Sequence, residues 1–331
     1  MSEDRSFLAS FIENLQNFEN LTRKTLLFPI MDKVRRESYH SNHVFSSIGE
    51  DAAGIIFNEN SQDLLLITTD SITEEFSKKS PWAAGFSAIM AGADDIYSCG
   101  GTPIAASSII SSDQPEIRTQ LLNGLLEATH RFEIPLVRGH TSDKTSNVGV
   151  SATVIGKIKK EDYVSAGGAR NGDLIVVIAD FDGHVGKSSK YYWDTVTFKE
   201  KDEILRKRKI MSKLAHRKLV SSSKDISNGG IIGTLILLLQ YSKKGAVLDL
   251  GWLKTPPHLI TKEFQLVEFV KMYLTSAFLV TVRSSDYKSV QKLGKEHGLM
   301  VFKIGKITEN LRIMMKFGNL SQEFIDLTPY V

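Results

Sequence analysis

The chain has 331 residues, of which 42% are hydrophobic, 24% charged and 9% aromatic, ordinary globular usage that excludes a fibre, a disordered chain or a mini-scaffold and favours two domains. Forty-one Lys and Arg against 38 Asp and Glu leave a formal charge of +3, too even a balance for nucleic-acid binding through bulk charge. The opening MSEDRSFLASFIENL lacks the basic-then-apolar order of a signal peptide, no stretch offers about 18 uninterrupted apolar residues, and the single Cys99 excludes an internal disulfide or a CxxC metal site; these features predict a cytoplasmic chain with no membrane or nucleic-acid partner.

Residues 1–47 read as accessory, with apolar spacing for short helices over Phe7 to Leu15 and Leu26 to Arg36 and a polar stretch between them. Ala53 to Phe57 and Asp63 to Thr69 are β-rich runs around Asn58, Asn60 and Ser61, which predicts a hairpin. Pro81 opens a helix through about Cys99, since Trp82, Phe86, Ile89, Ala93 and Ile96 recur at helical spacing. Ala84, Ala88, Ala91 and Asp95 form a second stripe of mostly small residues, which predicts close approach by another element. Pro103 to Ile110 reads as strand, Gln114 to Phe132 as helix, and Ile134 to Arg138 and Asn147 to Lys157 as strands. Turn formers from Ser165 to Gly172 then mark a boundary, giving domains 1–160 and 161–331. The second domain reads as strand Leu174 to Ala179, helix Lys201 to Leu219, an apolar helix Gly229 to Tyr241, strands Ala246 to Leu250 and Ala277 to Val282, helix Asp286 to His297, and two short terminal strands.

Carboxylates recur at the ends of apolar elements: Glu50 and Asp51 before a strand, Asp70 after one, Asp95 on the long helix, Asp225 before the apolar helix. Magnesium prefers oxygen ligands, one or two carboxylates with substrate phosphates completing the octahedron, so acids from several elements suit a nucleotide site. Read singly, Asp70 is a turn residue, Asp51 a loop charge and Asp225 a helix cap. The run Ser223 to Gly230 fits either anion docking at a helix N-terminus or a plain N-cap by Asp225 or Ser227. Three features are set aside. Gly183-His-Val-Gly-Lys-Ser188 ends like a P-loop, but Phe181 stands where its first glycine is required. His40 and His43 lack a zinc frame. Cys99 has no thiolate-stabilising neighbour in sequence.

Ile48-Gly-Glu-Asp-Ala-Ala53, Thr68-Thr-Asp70 and Ala93-Asp-Asp-Ile-Tyr-Ser-Cys-Gly-Gly-Thr-Pro103 resemble, in order, the signature of the AIR synthase (PurM-like) superfamily. Leu136-Val-Arg-Gly-His-Thr-Ser142 resembles its glycine-rich GGxT strand end, and Asp225-Ile-Ser-Asn-Gly-Gly230 its DxSDG or DxTGG segment. The group includes aminoimidazole ribonucleotide synthetase, thiamine-monophosphate kinase, selenophosphate synthetase and a hydrogenase-maturation dehydratase, and the chain looks most like the AIR synthase-related branch. The resemblance covers roughly residues 45–331. It implies an α+β, two-domain fold in which N-terminal domains of a homodimer pair into a β-barrel, with a C-terminal α/β domain and ATP near the interface. Carried over residue by residue, it implies that Asp51, Asp70, Asp95 and Asp225 hold Mg2+ on the triphosphate. The same resemblance implies that Gly49, Arg138, Gly139, Thr141, Gly229 and Gly230 line the nucleotide groove and that His140, Asp225 and Asn228 lie at the reacting centre.

The chain departs from the thiamine-monophosphate kinase pattern at His140 and Asn228, where that family carries acids. A neutral imidazole or amide supplies no charge for further hard cations. The selenophosphate synthetase Lys and Cys motif and a C-terminal cysteine tail are absent. The leading expectation is an Mg2+- and ATP-dependent enzyme that phosphorylates or activates an oxygen of a small acceptor, with His140 as base or anion contact. Alternatives are a nucleotide-binding regulatory or scaffold protein without turnover, and a thiamine-monophosphate kinase-like activity.

Overall fold

A computed structural model describes residues 2–187, 189–259 and 265–331. Two helices come first, α1 (Ser2–Gln16) and α2 (Glu19–Glu37). Six strands then form one sheet: β1 (Val44–Ser46), β2 (Ala53–Ile55), β3 (Asp63–Ile72), β4 (Thr102–Ser111), β5 (Leu136–Ser142) and β6 (Gly149–Lys159), in the order β1-β2-β3-β6-β4-β5. Only the β4–β5 pair is parallel. Helix α3 (Glu74–Lys79) follows β3, α4 (Pro81–Ser98) precedes β4, and α5 (Pro115–Phe132) joins β4 to β5.

Period-two alternation decides what this sheet covers. On β3, Leu64, Leu66 and Thr68 are buried while Ile67, Thr69 and Ser71, on the alternate positions, are exposed. The buried face lies under α4, whose Gly92 passes so close that a Cβ there would stand 2.5 Å from Val154. The closest helix approach falls on other glycines than the small-residue stripe suggests. A Cβ on Gly85 would stand 2.0 Å from the Leu121 carbonyl of α5, and one on Gly124 would stand 1.9 Å from that of Trp82.

The second half begins with β7 (Leu174–Ala179), β8 (His184–Val185), β9 (Tyr192–Asp194), α6 (Lys201–His216), β10 (Ser222–Asp225), α7 (Gly230–Ser242) and β11 (Gly245–Asp249). It continues with α8 (Leu266–Val270), β12 (Tyr273–Leu274), β13 (Ala277–Val282), α9 (Tyr287–His297), β14 (Met300–Thr308), β15 (Arg312–Phe317) and β16 (Leu320–Asp326). Seven strands pair in the order β10-β13-β7-β14-β11-β15-β16, and β12-β9-β8 form a small separate sheet. Every residue of β7 and β13 is buried, the continuous apolar pattern of strands covered on both faces. Leu174, Val176 and Ile178 join a core shared with α4, α5, α6 and α9, whereas Ile175, Val177 and Ala179 join one shared with α7, α1 and α2. Between the halves, Arg208 of α6 donates to both carboxylate oxygens of Asp94 on α4, at 2.6 and 3.0 Å, with the guanidinium wholly buried.

Several elements differ from expectation. The polar stretch after residue 16 belongs to α2, which begins at Glu19 and contains Pro29; Leu21 and Phe28 bury its apolar side, and the pairs Arg23–Glu19 and Arg36–Asp32 line its wet one. Residues 1–47, grouped by sequence with the first domain, bury Leu8, Phe11, Ile12, Leu15 and Phe28 in the core of the second sheet. Strand β5 starts at Leu136 because Glu133 ends α5 in a left-handed conformation and Pro135 offers no N–H to a ladder. Three terminal strands stand where two were expected, and β10 forms in a stretch given no element by sequence.

Candidate functional site

Four separate elements deliver the acids. Asp51 precedes β2, Asp70 lies within β3 rather than after it, Asp95 sits one residue-triplet before the end of α4, and Asp225 closes β10. Carboxylate oxygens of Asp51, Asp95 and Asp225 all lie within 4.8 Å of one another, the one such group of potential metal ligands among the described residues. Asp70 joins them through a side-chain hydrogen bond to Asp95, which needs a proton on one of the pair. Thr68 Oγ1 donates to Asp95 at 2.5 Å and Ser98 Oγ to Asp51 at 2.5 Å, while the Asp225 backbone N–H donates to Asp51 at 3.0 Å.

Burial and mutual repulsion dominate the electrostatics. Burial, then the charges of Asp70, Asp225 and Asp51, raise the Asp95 carboxyl well above the usual carboxylate range. Burial and then Asp51 do the same to Asp225, and burial raises Asp70. Two ammonium groups sit among them. Lys224 Nζ hydrogen-bonds Asp51; burial alone would lower its pKa, but the Asp51 charge, their hydrogen bond, Asp225 and Asp95 outweigh burial and raise it. Lys24, from α2, donates to Ser227 Oγ at 3.3 Å, and its pKa is lowered chiefly by burial. Fully ionised, four carboxylates and two ammonium groups carry −2, the charge that one divalent cation balances.

The single-residue readings of Asp70 and Asp225 do not hold. Asp70 pairs with Ala152 inside a ladder, and Asp225 ends a strand instead of capping α7, whose N-cap is Gly229 with no side-chain bond. The α7 N-terminus is not open to an anion as the glycine run suggested. Gly229 takes a left-handed conformation (φ 94°), and a Cβ there would meet the Asn20 carbonyl and the Lys24 side chain of α2; at Gly230 it would stand 2.1 Å from the Val270 carbonyl. Gly49 likewise has φ 114° and lies flat against Tyr241, 2.5 Å from ring carbon to a notional Cβ. These glycines serve close packing that brings Asp51 and Asp225 together.

The residues of β5 are placed elsewhere. Asp70, Ala152, Ser108 and Gly139 share one row across the sheet, which puts Gly139 three strand spacings, about 14 Å, from Asp70. His140 belongs to the neighbouring row with Ile109, Ser151 and Ser71, and projects from the opposite, open face. Arg138, Gly139, His140 and Thr141 are all exposed on this edge strand. Within one chain, His140 therefore does not reach the acid cluster. Asn228 lies on the cluster's side, lining an adjacent cavity.

Sequence reasoning missed Lys24, Lys224, Thr68 and Ser98. Lys224 stood beside Asp225 and Ser98 and Thr68 stood inside quoted motifs, so their neighbourhood was visible; nothing in the composition of α2 pointed Lys24 at the acids. Of the features set aside, His40 and His43 lie in an exposed loop where His43 Nδ1 sits 2.9 Å from the Ile56 carbonyl. Burial, then Asp51 and Glu50, push the Cys99 thiol up, so it is a buried neutral residue. Ser188 lies outside the described residues. Among the described residues no helix is long and apolar enough to cross a membrane.

Known proteins resemble the chain in sequence or in fold. Uncharacterized protein sll0787 of Synechocystis sp. is 30% identical over 280 residues, covering 85% of this chain and 84% of its own. The structure titled T. maritima PurL complexed with ATP superposes with TM-score 0.67 at 13% identity over 81% of this chain; the chain spans 44% of that protein. The structure titled AaThiL complexed with AMPPCP and TMP superposes with TM-score 0.63 at 19% identity, covering 90% of this chain and 96% of that one. Residues 49–158, which carry Asp51, Asp70 and Asp95, match AIR synthase related protein, N-terminal domain, and residues 170–316, which carry Asp225, match its C-terminal domain. With both halves matched in order and the acids gathered from each, the chain belongs to the AIR synthase related family.

Proposed function

We propose that the chain is an Mg2+-dependent, ATP-using enzyme that transfers phosphate to, or thereby activates, an oxygen of a small acceptor. The observation that carries this reading is the convergence of Asp51, Asp95 and Asp225, with Asp70 hydrogen-bonded beside them. Carboxylate oxygens are the donors a hard cation prefers, and the raised Asp95 and Asp225 carboxyls describe a like-charge cluster that such a cation relieves. Asp51, Asp70, Asp95 and Asp225 would hold magnesium, which supplies charge neutralisation to a triphosphate. Lys224 and Lys24 add fixed positive charge, Thr68 and Ser98 orient carboxylates, and the enclosing strands and helix exclude water. In the transfer, an acceptor oxygen lone pair bonds the γ-phosphorus while the bridging P–O bond breaks and ADP leaves with that electron pair.

The solved relatives whose titles name ATP or AMPPCP support nucleotide binding by a protein of this fold. A homodimer fits the open face of the first sheet, where Ile67 (37%) and Ile109 (49%) are exposed, and its unpaired edge strand β5, where Val137 is 64% exposed. Pairing of two such faces would form the barrel and bring β5 of one copy toward the other. Soluble metabolic use in the cytoplasm is consistent with this reading. The second reading, nucleotide binding without turnover, draws on His140 pointing away from the acids and on the neutral amide of Asn228. Phosphate release with Mg2+ and ATP tests the first: Asp51→Asn and Asp95→Asn should each lower it by about 10²-fold or more. Unchanged release would refute the metal site. Tight binding of a non-hydrolysable ATP analogue with no release against a broad metabolite panel would favour the second reading.

A further inference from the structure

Helices α6 and α9 lie side by side on one face of the second sheet, where Ile210 and Leu214 of the first and Val290 and Leu293 of the second share a core with Val176 and Ile178 of β7. They run antiparallel. Arg206, near the start of α6, reaches the end of α9, its guanidinium 3.1 Å from a notional Cβ on Gly298. Arg283, just before α9, donates to the Lys218 carbonyl beyond the end of α6 at 3.3 Å.

With their apolar sides buried, the two helices turn an almost wholly basic face outward. Arg206, Lys209, Lys213 and, just past the end of α6, Arg217 are exposed and fall within an arc of about 80° around its axis. Lys288, Lys292 and Lys295 are exposed within about 60° around α9. None of these cations has an ion-pair partner among the described residues. Most acids around them are taken: Glu203 by Lys199 and Lys207, Glu133 by Lys201, Asp162 by Lys218 and Asp286 by Arg283. Among the described residues, Asp202 and Glu296 are the acids left unpaired on these helices. The whole-chain charge of +3 averages over this excess, so an even total that speaks against binding through bulk charge conceals a local one.

The face also selects its partner. Neither helix exposes an aromatic or large apolar side chain, so it lacks both the anchors of a protein interface and the stacking platforms that hold single strands. Packed helices stand about 8–10 Å apart, between the widths of the minor and major grooves of a duplex, about 6 and 12 Å. The α6 stripe is about 16 Å long, alongside about five phosphates of one strand.

We propose that the α6–α9 face binds the sugar-phosphate backbone of double-stranded nucleic acid, through charge and without reading sequence. Fluorescence anisotropy on the full chain tests it, with labelled DNA and RNA duplexes of one sequence, about 24 base pairs long, at about 50 mM salt; the tighter of the two names the partner. A Kd of about 10 μM or below is expected, with a slope of log affinity against log salt of about −3 to −6. Lys209→Gln with Lys213→Gln, and separately Lys288→Gln with Lys292→Gln, should each weaken binding at least about tenfold and make the slope shallower by about 2. Lys157→Gln with Lys159→Gln, exposed on β6 of the first sheet, should leave the affinity within about twofold. No binding of either duplex at about 100 μM chain, or unchanged affinity in either α6 or α9 double variant, would overturn the proposal. Equal affinity for the single strand would overturn it too, and equal affinity for poly-glutamate would replace the duplex with an acidic protein segment. Neither ATP nor the acid cluster enters this measurement, so its outcome stands apart from the phosphoryl-transfer reading.

Discussion

Two motif-bearing regions of this molecule end in contrasting places. The acids at 51, 70, 95 and 225 come from a loop, a helix and strands of two sheets, yet they meet in a buried cluster tied by Thr68, Ser98 and Lys224. The contiguous Arg138-Gly-His-Thr141 stays exposed on an edge strand, with His140 on the far face of the sheet. Residues on covered elements have their neighbours decided by the core, whereas residues on an edge acquire neighbours only from another chain or a ligand. Adjacency within a motif did not bring residues to the acids; burial of the supporting element did.

The sharpest way to break the buried region is to cut the clamp beneath it. Arg208 holds Asp94, the residue beside Asp95, across the two halves. Burial raises the Asp94 carboxyl and Arg208 pulls it back down, so removing the guanidinium leaves a buried acid without its counter-charge. Arg208→Ala should cost about 3–5 kcal/mol of unfolding free energy, measured by denaturant titration, and should lower ATP turnover by displacing α4. An unchanged midpoint would show that the halves are held in register by apolar packing alone.

A smaller effect should follow from Lys224→Met, because Asp51 keeps its bonds from Ser98 and from the Asp225 N–H. Loss of about 2 kcal/mol is expected without divalent cation. Since the ammonium partly neutralises the acids, added Mg2+ should raise the melting temperature of this variant more than that of the unaltered chain. Equal gains would mean that Lys224 and the cation do not share the same carboxylates.

Much of this architecture was legible before any coordinates. The long runs of single periodicity, α4, β7 and β13, were read with nearly their observed bounds because covering both sides of an element leaves a continuous apolar signature. Short pieces such as β9, β10 and β12 were missed, since two to four residues carry too little pattern and their pairing is decided by distant partners. The acids were found by type and spacing, but Lys24 was not. Its place depends on α2 crossing to the second sheet and packing on the bare surfaces of Gly229 and Gly233, beside a Lys24–Ser227 contact that spans 203 residues and leaves no local trace.

The exposed region is probed by Val137→Asp. Val137 is 64% exposed on the edge strand β5, so in a lone chain the change is harmless. If two open faces pair, a carboxylate buried there should weaken the dimer by at least about tenfold, or 1.4 kcal/mol. Light scattering across a concentration series reads this directly, and a monomer for the unaltered chain would remove the proposed barrel.

His140→Ala should have the smallest effect of all, and its size discriminates between two geometries. In one chain, His140 shares its row with Ile109, Ser151 and Ser71 and faces away from Asp70, so its loss should leave turnover within about twofold by the surface position it holds. Were a second copy to carry this strand over the first copy's triphosphate, the imidazole could contact the nucleotide, and removing it would raise KM for ATP with little change in kcat, the pattern of lost uniform binding. Combining His140→Ala with Val137→Asp separates the cases. A KM effect that disappears once the dimer is broken places the imidazole in a composite site, whereas a twofold or smaller effect in both backgrounds leaves catalysis to the buried acids and the two lysines.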